Sequence, residues 1–144
     1  MKELVYVIAS LGFNANVFMQ GGEVVVSVCG KCLVFSLTRF ISRVLEEGVE
    51  GVPLEALIGV VEGLIDSDGN IERRRGGYFR VAITTASKKI ASLVVSVCSL
   101  IGASCNYYLH GGKYRVFIFN RLDLLGGSYK VASEMARRAR SSTR

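Results

Sequence analysis

The stretch Val61–Gly69, which reads VEGLIDSDG, is the most specific pattern in this chain of 144 residues. It ends a segment that begins at Pro53, a residue suited to the first turn of a helix, and the apolar spacing between them predicts a helix over residues 54–65. Asp66 and Asp68 follow at the helix C-terminus, where the helix dipole disfavours negative charge. Either a bound divalent cation compensates that charge, or the two acids cap a solvated loop.

Two glycines of the predicted helix, Gly59 and Gly63, are four residues apart and therefore lie on one face. Because they carry no side chain, a second backbone can approach that face closely. A basic hairpin is predicted next, with strands over residues 70–75 and 78–85. The segment from residue 54 to residue 140 is predicted to have the element order αββαββα.

Charge is unevenly distributed along the chain, whose formal net charge is +6. Residues 54–69 hold four acids and no base, whereas residues 70–121 hold nine Lys or Arg residues and one acid, Glu72. A basic segment of this kind suits a polyanionic partner. An acidic cluster beside it suits a metal ion held near a phosphate.

Composition predicts a globular protein, since 50% of the residues are hydrophobic and 21% are charged. The longest apolar run, residues 93–103, is too short to cross a membrane, and the first residues lack a cleavage-site pattern. We therefore expect an intracellular, cytoplasmic protein with no membrane partner. Cys29 and Cys32 have the C-x-x-C spacing of half a zinc site or of a redox pair. Cys98 and Cys105 lie in apolar surroundings, and we expect structural cysteines.

An internal repeat emerges when the sequence is aligned with itself at an offset of 90 residues, which places residues 9–22 over residues 99–112 without a gap. The identical pairs are Gly12 with Gly102, Asn16 with Asn106, Gly21 with Gly111 and Gly22 with Gly112. Each copy is predicted as a helix, a Gly-Gly hairpin and a final helix. The first helices are predicted at residues 3–11 and 87–101, and the final helices at residues 34–47 and 127–140. Residues 1–50 then form the rear half (αββα) of a first repeat, and residues 51–144 form a complete second repeat.

Val61–Gly69 resembles the signature of the LAGLIDADG homing endonucleases, and six of its nine positions match the family's name: Gly63, Leu64, Ile65, Asp66, Asp68 and Gly69. The predicted order αββαββα is similar to that family as well. The resemblance implies an α+β fold in which an antiparallel, saddle-shaped sheet faces DNA. It also implies that two motif helices pack together, here through Gly59 and Gly63.

The resemblance further implies roles for individual residues. Asp68 is the metal-binding acid, assisted by the carbonyl of Gly69, and Asp66 caps or braces the turn. Lys31 and Arg121, near the end of the last strand of each copy, are the candidate catalytic residues whose positive charge stabilises the charge that develops in the reaction. The residues expected to contact DNA alternate along the strands or begin a helix, namely Asn70, Glu72, Arg74, Arg80, Thr84, Lys88, Lys89, Asn106, Tyr108, His110, Lys113 and Arg115.

The function implied is that of a site-specific double-stranded DNA endonuclease of the homing type, intron- or intein-associated, which hydrolyses phosphodiesters with Mg²⁺ or another divalent cation. A complete site needs two motif helices, and this sequence contains one. The chain is therefore expected to form a homodimer, or a heteromer with a chain that supplies the second helix. The alternative is a non-cleaving relative that binds nucleic acid, either a maturase-like RNA-binding protein or a DNA-binding regulator.

Overall fold

The computed structural model describes residues 15–28, 31–76 and 78–141. The elements are strands β1 (Ala15–Gln20) and β2 (Glu23–Val28), helices α1 (Lys31–Glu47) and α2 (Leu54–Asp68), strands β3 (Gly69–Arg73) and β4 (Phe79–Thr85), helix α3 (Lys88–Leu100), strands β5 (Cys105–His110) and β6 (Lys113–Ile118), a 3-10 helix (Leu122–Leu125) and helix α4 (Tyr129–Ser141). From α2 onward this is the predicted order αββαββα. The prediction of an α+β fold is confirmed.

The chain divides into two compact units, residues 1–42 and residues 43–144. The first contains the two-stranded sheet of β1 and β2, and the second contains a four-stranded antiparallel sheet in the order β3-β4-β6-β5. The boundary between the units lies within α1. The division at residue 50, which was drawn from the sequence repeat, stays a prediction.

The core of the second unit lies between one face of the four-stranded sheet and the helices. Helix α2 presents Leu57, Val61 and Ile65 to this core at a spacing of four residues, and all three are fully buried. Fully buried side chains of the other elements complete it: Val81, Ile83, Val94, Val97, Cys98, Val116, Ile118, Leu125 and Val131. Burying each of these side chains stabilises the fold by about 1.5–3 kcal/mol.

The two Gly-Gly hairpins have the same register at the offset of 90 residues. Ala15 pairs with Val28 at the open end of the first hairpin, and Cys105 pairs with Ile118 at the open end of the second. The turn glycines all have positive φ, at 60° and 84° in the first hairpin and at 58° and 75° in the second. After the hairpins the copies differ, because α1 begins at Lys31 whereas a 3-10 helix and a turn precede α4.

Several helix limits differ from the predicted ones. The motif helix α2 continues to Asp68 rather than ending at residue 65, because its acids find positively polarised partners described below. Helix α4 begins at Tyr129, because Ser128 caps it by accepting a hydrogen bond from Val131 N–H at 3.3 Å. Helix α1 begins three residues earlier than predicted. The predicted helix over residues 3–11 lies outside the described residues.

Cys98 and Cys105 are free thiols, the first buried and the second half-buried. A hydrogen bond with Cys105, together with burial, raises the pKa of the Cys98 thiol. Cys29 and the Cys32 side chain lie outside the described part of the chain. None of the described helices is long and apolar enough to span a membrane.

Candidate metal centre and nucleic-acid interface

Helix α2 has one face in the core and an opposite face that the described residues leave uncovered. Gly59 and Gly63 lie on this outer face, and both are exposed. A Cβ added at either position would meet no atom within 4 Å. Among the residues that the structure describes, nothing therefore covers the surface that the sequence assigned to helix–helix packing.

Asp66, in the last turn of α2, binds the N-terminus of α4. Its carboxylate accepts hydrogen bonds from the Ser128 hydroxyl at 2.6 Å, Tyr129 N–H at 3.0 Å and Lys130 N–H at 3.2 Å. Partial burial raises the pKa of Asp66, but these hydrogen bonds outweigh it and hold the pKa below its usual value. The positive end of the α4 dipole thus compensates an acid that is unfavourable within its own helix.

Glu62, one turn earlier in α2, extends the same connection. Its carboxylate accepts a hydrogen bond from Gly127 N–H at 2.8 Å. A Cβ at Gly127 would collide with this carboxylate, so the close approach depends on glycine. Asp66 therefore braces the motif, as expected, and does so together with Glu62 by capping the helix that ends the unit.

Asp68 is the last residue of α2, and its side chain is exposed. Gly69 follows, and its N–H donates to the carbonyl of Ile65. A Cβ at Gly69 would lie 2.5 Å from that carbonyl oxygen, so only glycine allows the chain to leave the helix here. The carbonyl of Gly69 accepts a hydrogen bond from Lys130 Nζ at 2.7 Å.

The sheet register places the predicted nucleic-acid contacts of the four strands on one face of the sheet, opposite the core; we call it the sheet face. One row across the four strands consists of Asn70, Ala82, Phe117 and Asn106. A second row consists of Thr84, Arg115 and Tyr108, while Glu72 pairs with Arg80 and His110 pairs with Lys113. Residues distant in sequence therefore form a continuous polar and aromatic surface.

Solved structures of the homing endonuclease I-DmoI share this architecture. One, bound to its target DNA with Mn, aligns with a TM-score of 0.64 at 15% identity, over 90% of this chain and 68% of that chain. Mesophilic variants of I-DmoI align with a TM-score of 0.62 at 15% identity, over 88% of this chain and 69% of theirs. The N-terminal LAGLIDADG domain of DUF199/WhiA aligns with a TM-score of 0.55 at 10% identity, over 95% of this chain and 70% of that one.

The chain has the LAGLIDADG fold. The resemblance seen in Val61–Gly69 is thus confirmed at the level of fold. No protein-family model matches the sequence, and no curated protein is significantly similar to it. Other I-DmoI structures contain target DNA in the presence of Mg, or DNA with Ca.

The donors at the end of the LAGLIDADG helix fit a divalent cation in kind but not in number. A carboxylate at Asp68 and a carbonyl at Gly69 are the hard oxygen ligands that Mg²⁺ and Ca²⁺ prefer. Within the described ranges, no group of three or more His, Cys, Asp or Glu side chains is placed to hold a metal ion. These two oxygen donors alone would not complete the six or more ligands that such an ion takes.

Glu72 lies among the arginines of the sheet face. Its carboxylate is 2.6 Å from Arg80, 3.4 Å from Arg115 and 3.7 Å from Arg74. Arg74 follows β3, where its N–H donates to the carbonyl of Tyr78 and closes the turn. The only acid between residues 70 and 121 thus neutralises part of the positive charge of these three arginines.

Phe117 forms the aromatic centre of the sheet face. The Arg80 guanidinium lies 3.8 Å from its ring centroid, a cation–π contact. Tyr108 stacks beside Phe117 at 5.7 Å, and His110 meets Tyr108 edge-on at 6.5 Å. Arg80 is thus held by both Glu72 and Phe117, which restricts its rotamers.

Lys88 and Lys89 begin α3 at the same end of the sheet as the motif turn. Gly69 pairs with Ile83, two residues before β4 ends, and α3 starts three residues after that end. The hydroxyl of Ser87 caps the helix by accepting from Ile90 N–H at 3.3 Å. Both lysines border a cavity of about 330 Å³ beside Val44, Leu45, Gly48, Val49, Ser92, Leu93 and Ser96.

The register does not bring Arg121 to the motif turn. Val116 and Gly69 both pair with Ile83, and β6 runs parallel to β3, so Arg121 follows five residues beyond that level. Its backbone is left-handed at φ 53°, and its guanidinium lies 3.7 Å from the position of a Cβ at Gly102, just after α3. The catalytic role of Arg121 stays a prediction.

The first copy supplies fewer candidates. Lys31 is the first residue of α1, in the first unit, and its side chain lies outside the described set. On one face of the first hairpin, Asn16 pairs with Ser27 and Phe18 pairs with Val25. None of these four side chains is basic, in contrast to the sheet face of the second unit.

Sequence reasoning missed three residues near the motif turn. Lys130 contacts Gly69, Ser128 contacts Asp66, and Glu134 of α4 pairs with Arg73 of β3 at 3.0 Å. One sequence signal existed. The helix dipole disfavours a lysine in the first turn of α4, just as it disfavours acids in the last turn of α2. Two unfavourably placed charges of opposite sign can compensate each other.

Proposed function

We propose that this chain is a subunit of a site-specific double-stranded DNA endonuclease of the homing type. The observation that carries the proposal is the position of Asp68, an exposed carboxylate at the end of a LAGLIDADG helix whose outer face is open at Gly59 and Gly63. The similarity in fold to I-DmoI bound to its target DNA supports it.

The active site we propose forms when two motif helices pair. Small residues at Gly59 and Gly63 allow two backbones to approach, which brings a second acid toward Asp68. Asp68 and the Gly69 carbonyl would then hold Mg²⁺ or another divalent cation with the partner's acid. Bound there, the metal would activate water and stabilise the leaving oxygen of a phosphodiester. The second helix comes from another copy of this chain or from a different chain.

DNA would lie on the sheet face, because an antiparallel ribbon fits the major groove. Arg80, held by Glu72 and Phe117, is suited to reading a base edge in a fixed orientation. Lys88 and Lys89, at a helix N-terminus level with the motif turn, are suited to a phosphate near the scissile bond. The other predicted contacts on this face are Asn70, Thr84, Asn106, Tyr108, His110, Lys113 and Arg115.

A second candidate function is binding of nucleic acid, DNA or RNA, without cleavage. The contact of Lys130 Nζ with the Gly69 carbonyl favours it, because a cation of the protein already takes one proposed metal ligand. The similarity in fold to the LAGLIDADG domain of DUF199/WhiA is compatible with it. The two candidates share the sheet face and differ in whether Asp68 takes part in hydrolysis.

The test measures the solution mass of the purified chain, alone and with a duplex that carries the insertion site of its coding locus, and scores cleavage with Mg²⁺. We expect a dimer that cuts, and we expect Asp68→Asn to bind the duplex without cutting it. Asp123→Asn, an exposed acid outside the site, is the matched control and should cut normally. A dimer that binds the duplex and leaves it intact would contradict cleavage and support the second candidate. A monomer that binds without cutting would contradict the homodimer and point either to a different chain as the source of the second motif helix or to the second candidate.

A further inference from the structure

Lys130 is held at both ends by the motif segment. Its backbone N–H donates to the Asp66 carboxylate at 3.2 Å, and its Nζ donates to the Gly69 carbonyl at 2.7 Å. The contacts cross from α4 to the turn that follows α2, over more than sixty positions of sequence. A lysine side chain loses conformational entropy when it is fixed in this way. A favourable electrostatic interaction therefore has to offset that loss.

The favourable electrostatic interaction comes from oxygen atoms at the C-terminal end of α2. The carboxylate of Asp66 attracts the Lys130 ammonium, and the carbonyl of Gly69 accepts a charge-assisted hydrogen bond, the stronger kind. These are also the features that would attract a divalent cation. In the free chain, a cation of the protein itself is therefore already bound where the proposed function requires a metal ligand.

We propose that Lys130 competes with the metal ion for the Gly69 carbonyl. This inference rests on the proposed function for the identity of the metal ligands. Two cations on one carbonyl oxygen repel each other strongly, so a divalent ion binds at Asp68 and Gly69 only when the ammonium leaves. Lys130 thus lowers the affinity of the free chain for metal.

The same competition couples the metal to nucleic acid. A phosphate oxygen near the motif turn is a better partner for an ammonium than a neutral carbonyl, because the charges are opposite. When Lys130 turns to a phosphate, the Gly69 carbonyl is released to the metal. The competition would keep the metal occupancy of the free chain low and let the ion bind together with the substrate.

The experiment titrates the intact chain with Mn²⁺ in the absence of nucleic acid and follows free Mn²⁺ by electron paramagnetic resonance. The wild type is compared with Lys130→Met, which keeps the length of the side chain and removes its charge. Arg140→Met, on the same helix, is the matched control for the change in net charge. We expect Lys130→Met to bind Mn²⁺ about tenfold more tightly, Arg140→Met to match the wild type, and the double variant Asp68→Asn, Lys130→Met to lose the gain.

An affinity in Lys130→Met no higher than in the wild type, or an equal gain in Arg140→Met, would overturn the inference. Thermal unfolding confirms that each variant is folded, and Lys130→Gln replaces Lys130→Met if the latter does not fold. The titration scores no cleavage, so it separates the two proposals. A chain that never cuts DNA but gains Mn²⁺ affinity through Asp68 keeps this inference, whereas a chain that cuts with no gain keeps only the proposed function.

Discussion

At the scale of single residues, Glu134 shows how strongly one buried charge can depend on its partners. It is 4% exposed, and its carboxylate lies 2.6 Å from Arg137, 3.0 Å from Arg73 and 3.6 Å from Arg138. The hydrogen bond from Arg137 lowers the pKa of Glu134 most; burial opposes it, and Arg73 lowers it further, to about 2. Because Arg73 belongs to β3, this residue ties α4 to the edge of the sheet.

We predict that Glu134 makes the fold sensitive to acid. Its pKa is depressed in the folded state, so its contribution is complete above the ordinary value of 4.5 and is lost as the pH falls toward 2. Glu134→Gln should lower the free energy of unfolding at pH 7 by about 1–3 kcal/mol. Urea unfolding between pH 7 and pH 2.5 measures the free energy of unfolding of the wild type and of Glu134→Gln. The difference between them should shrink below pH 4.5, and a constant difference would contradict the prediction.

At the scale of elements, the motif helix combines a glycine that packing requires with two that it does not. Gly69 has no room for a Cβ, because the Ile65 carbonyl lies 2.5 Å away, whereas Gly59 and Gly63 face open space. Glycine within a helix costs about 0.5–1 kcal/mol relative to alanine. The single chain therefore retains two unfavourable residues on a face that nothing in its described part covers, which a partner helix would explain.

We predict opposite effects of substitution at these glycines. Gly63→Ala should raise the free energy of unfolding of the chain by about 0.5–1 kcal/mol, and Gly69→Ala should lower it, because its Cβ collides with backbone. Gly63→Leu should leave the chain folded but abolish its self-association. Urea unfolding and sedimentation velocity measure the two effects. A Gly63→Leu chain that associates like the wild type would show that this face is not the interface.

At the scale of the whole molecule, the sheet face carries a cluster of positive charge that Glu72 moderates. Three arginines lie within 4 Å of that one carboxylate. A less shielded cluster would attract phosphates of any sequence more strongly, since that attraction is electrostatic. On the proposed function, Glu72 would therefore limit nonspecific binding while it orients Arg80.

We predict that Glu72→Gln tightens binding to a duplex of unrelated sequence about three- to tenfold at low salt. The slope of log affinity against log salt should steepen by up to about one. Glu47→Gln, which removes an exposed acid of α1 paired with Arg43, is the matched control. Fluorescence anisotropy across salt concentrations measures the effect. Equal affinities for the two variants would mean that net charge alone acts, and not the charge of the sheet face.

Much of the fold could be predicted because its signals are local. Apolar spacing identified α2, and paired glycines identified both Gly-Gly hairpins with their register, since a turn with positive φ needs glycine at these positions. Alternation along the strands assigned Arg80, Arg115 and Tyr108 to one face, because successive side chains of a strand point to opposite faces of the sheet. The limits of α2 and α4 were missed, because Asp66 and Ser128 stabilise each other across the fold.

The sequence by itself determined the order αββαββα, the faces of the strands and the presence of two acids, Asp66 and Asp68, near the C-terminus of the motif helix. Each of these depends on residues within a few positions of one another. Only the tertiary structure decided that Asp66 and Glu62 cap α4, that Lys130 binds the carbonyl of Gly69, and that Arg73 pairs with Glu134. These contacts join residues 61 to 65 positions apart, and their energies depend on packing distances that no local pattern of residues specifies.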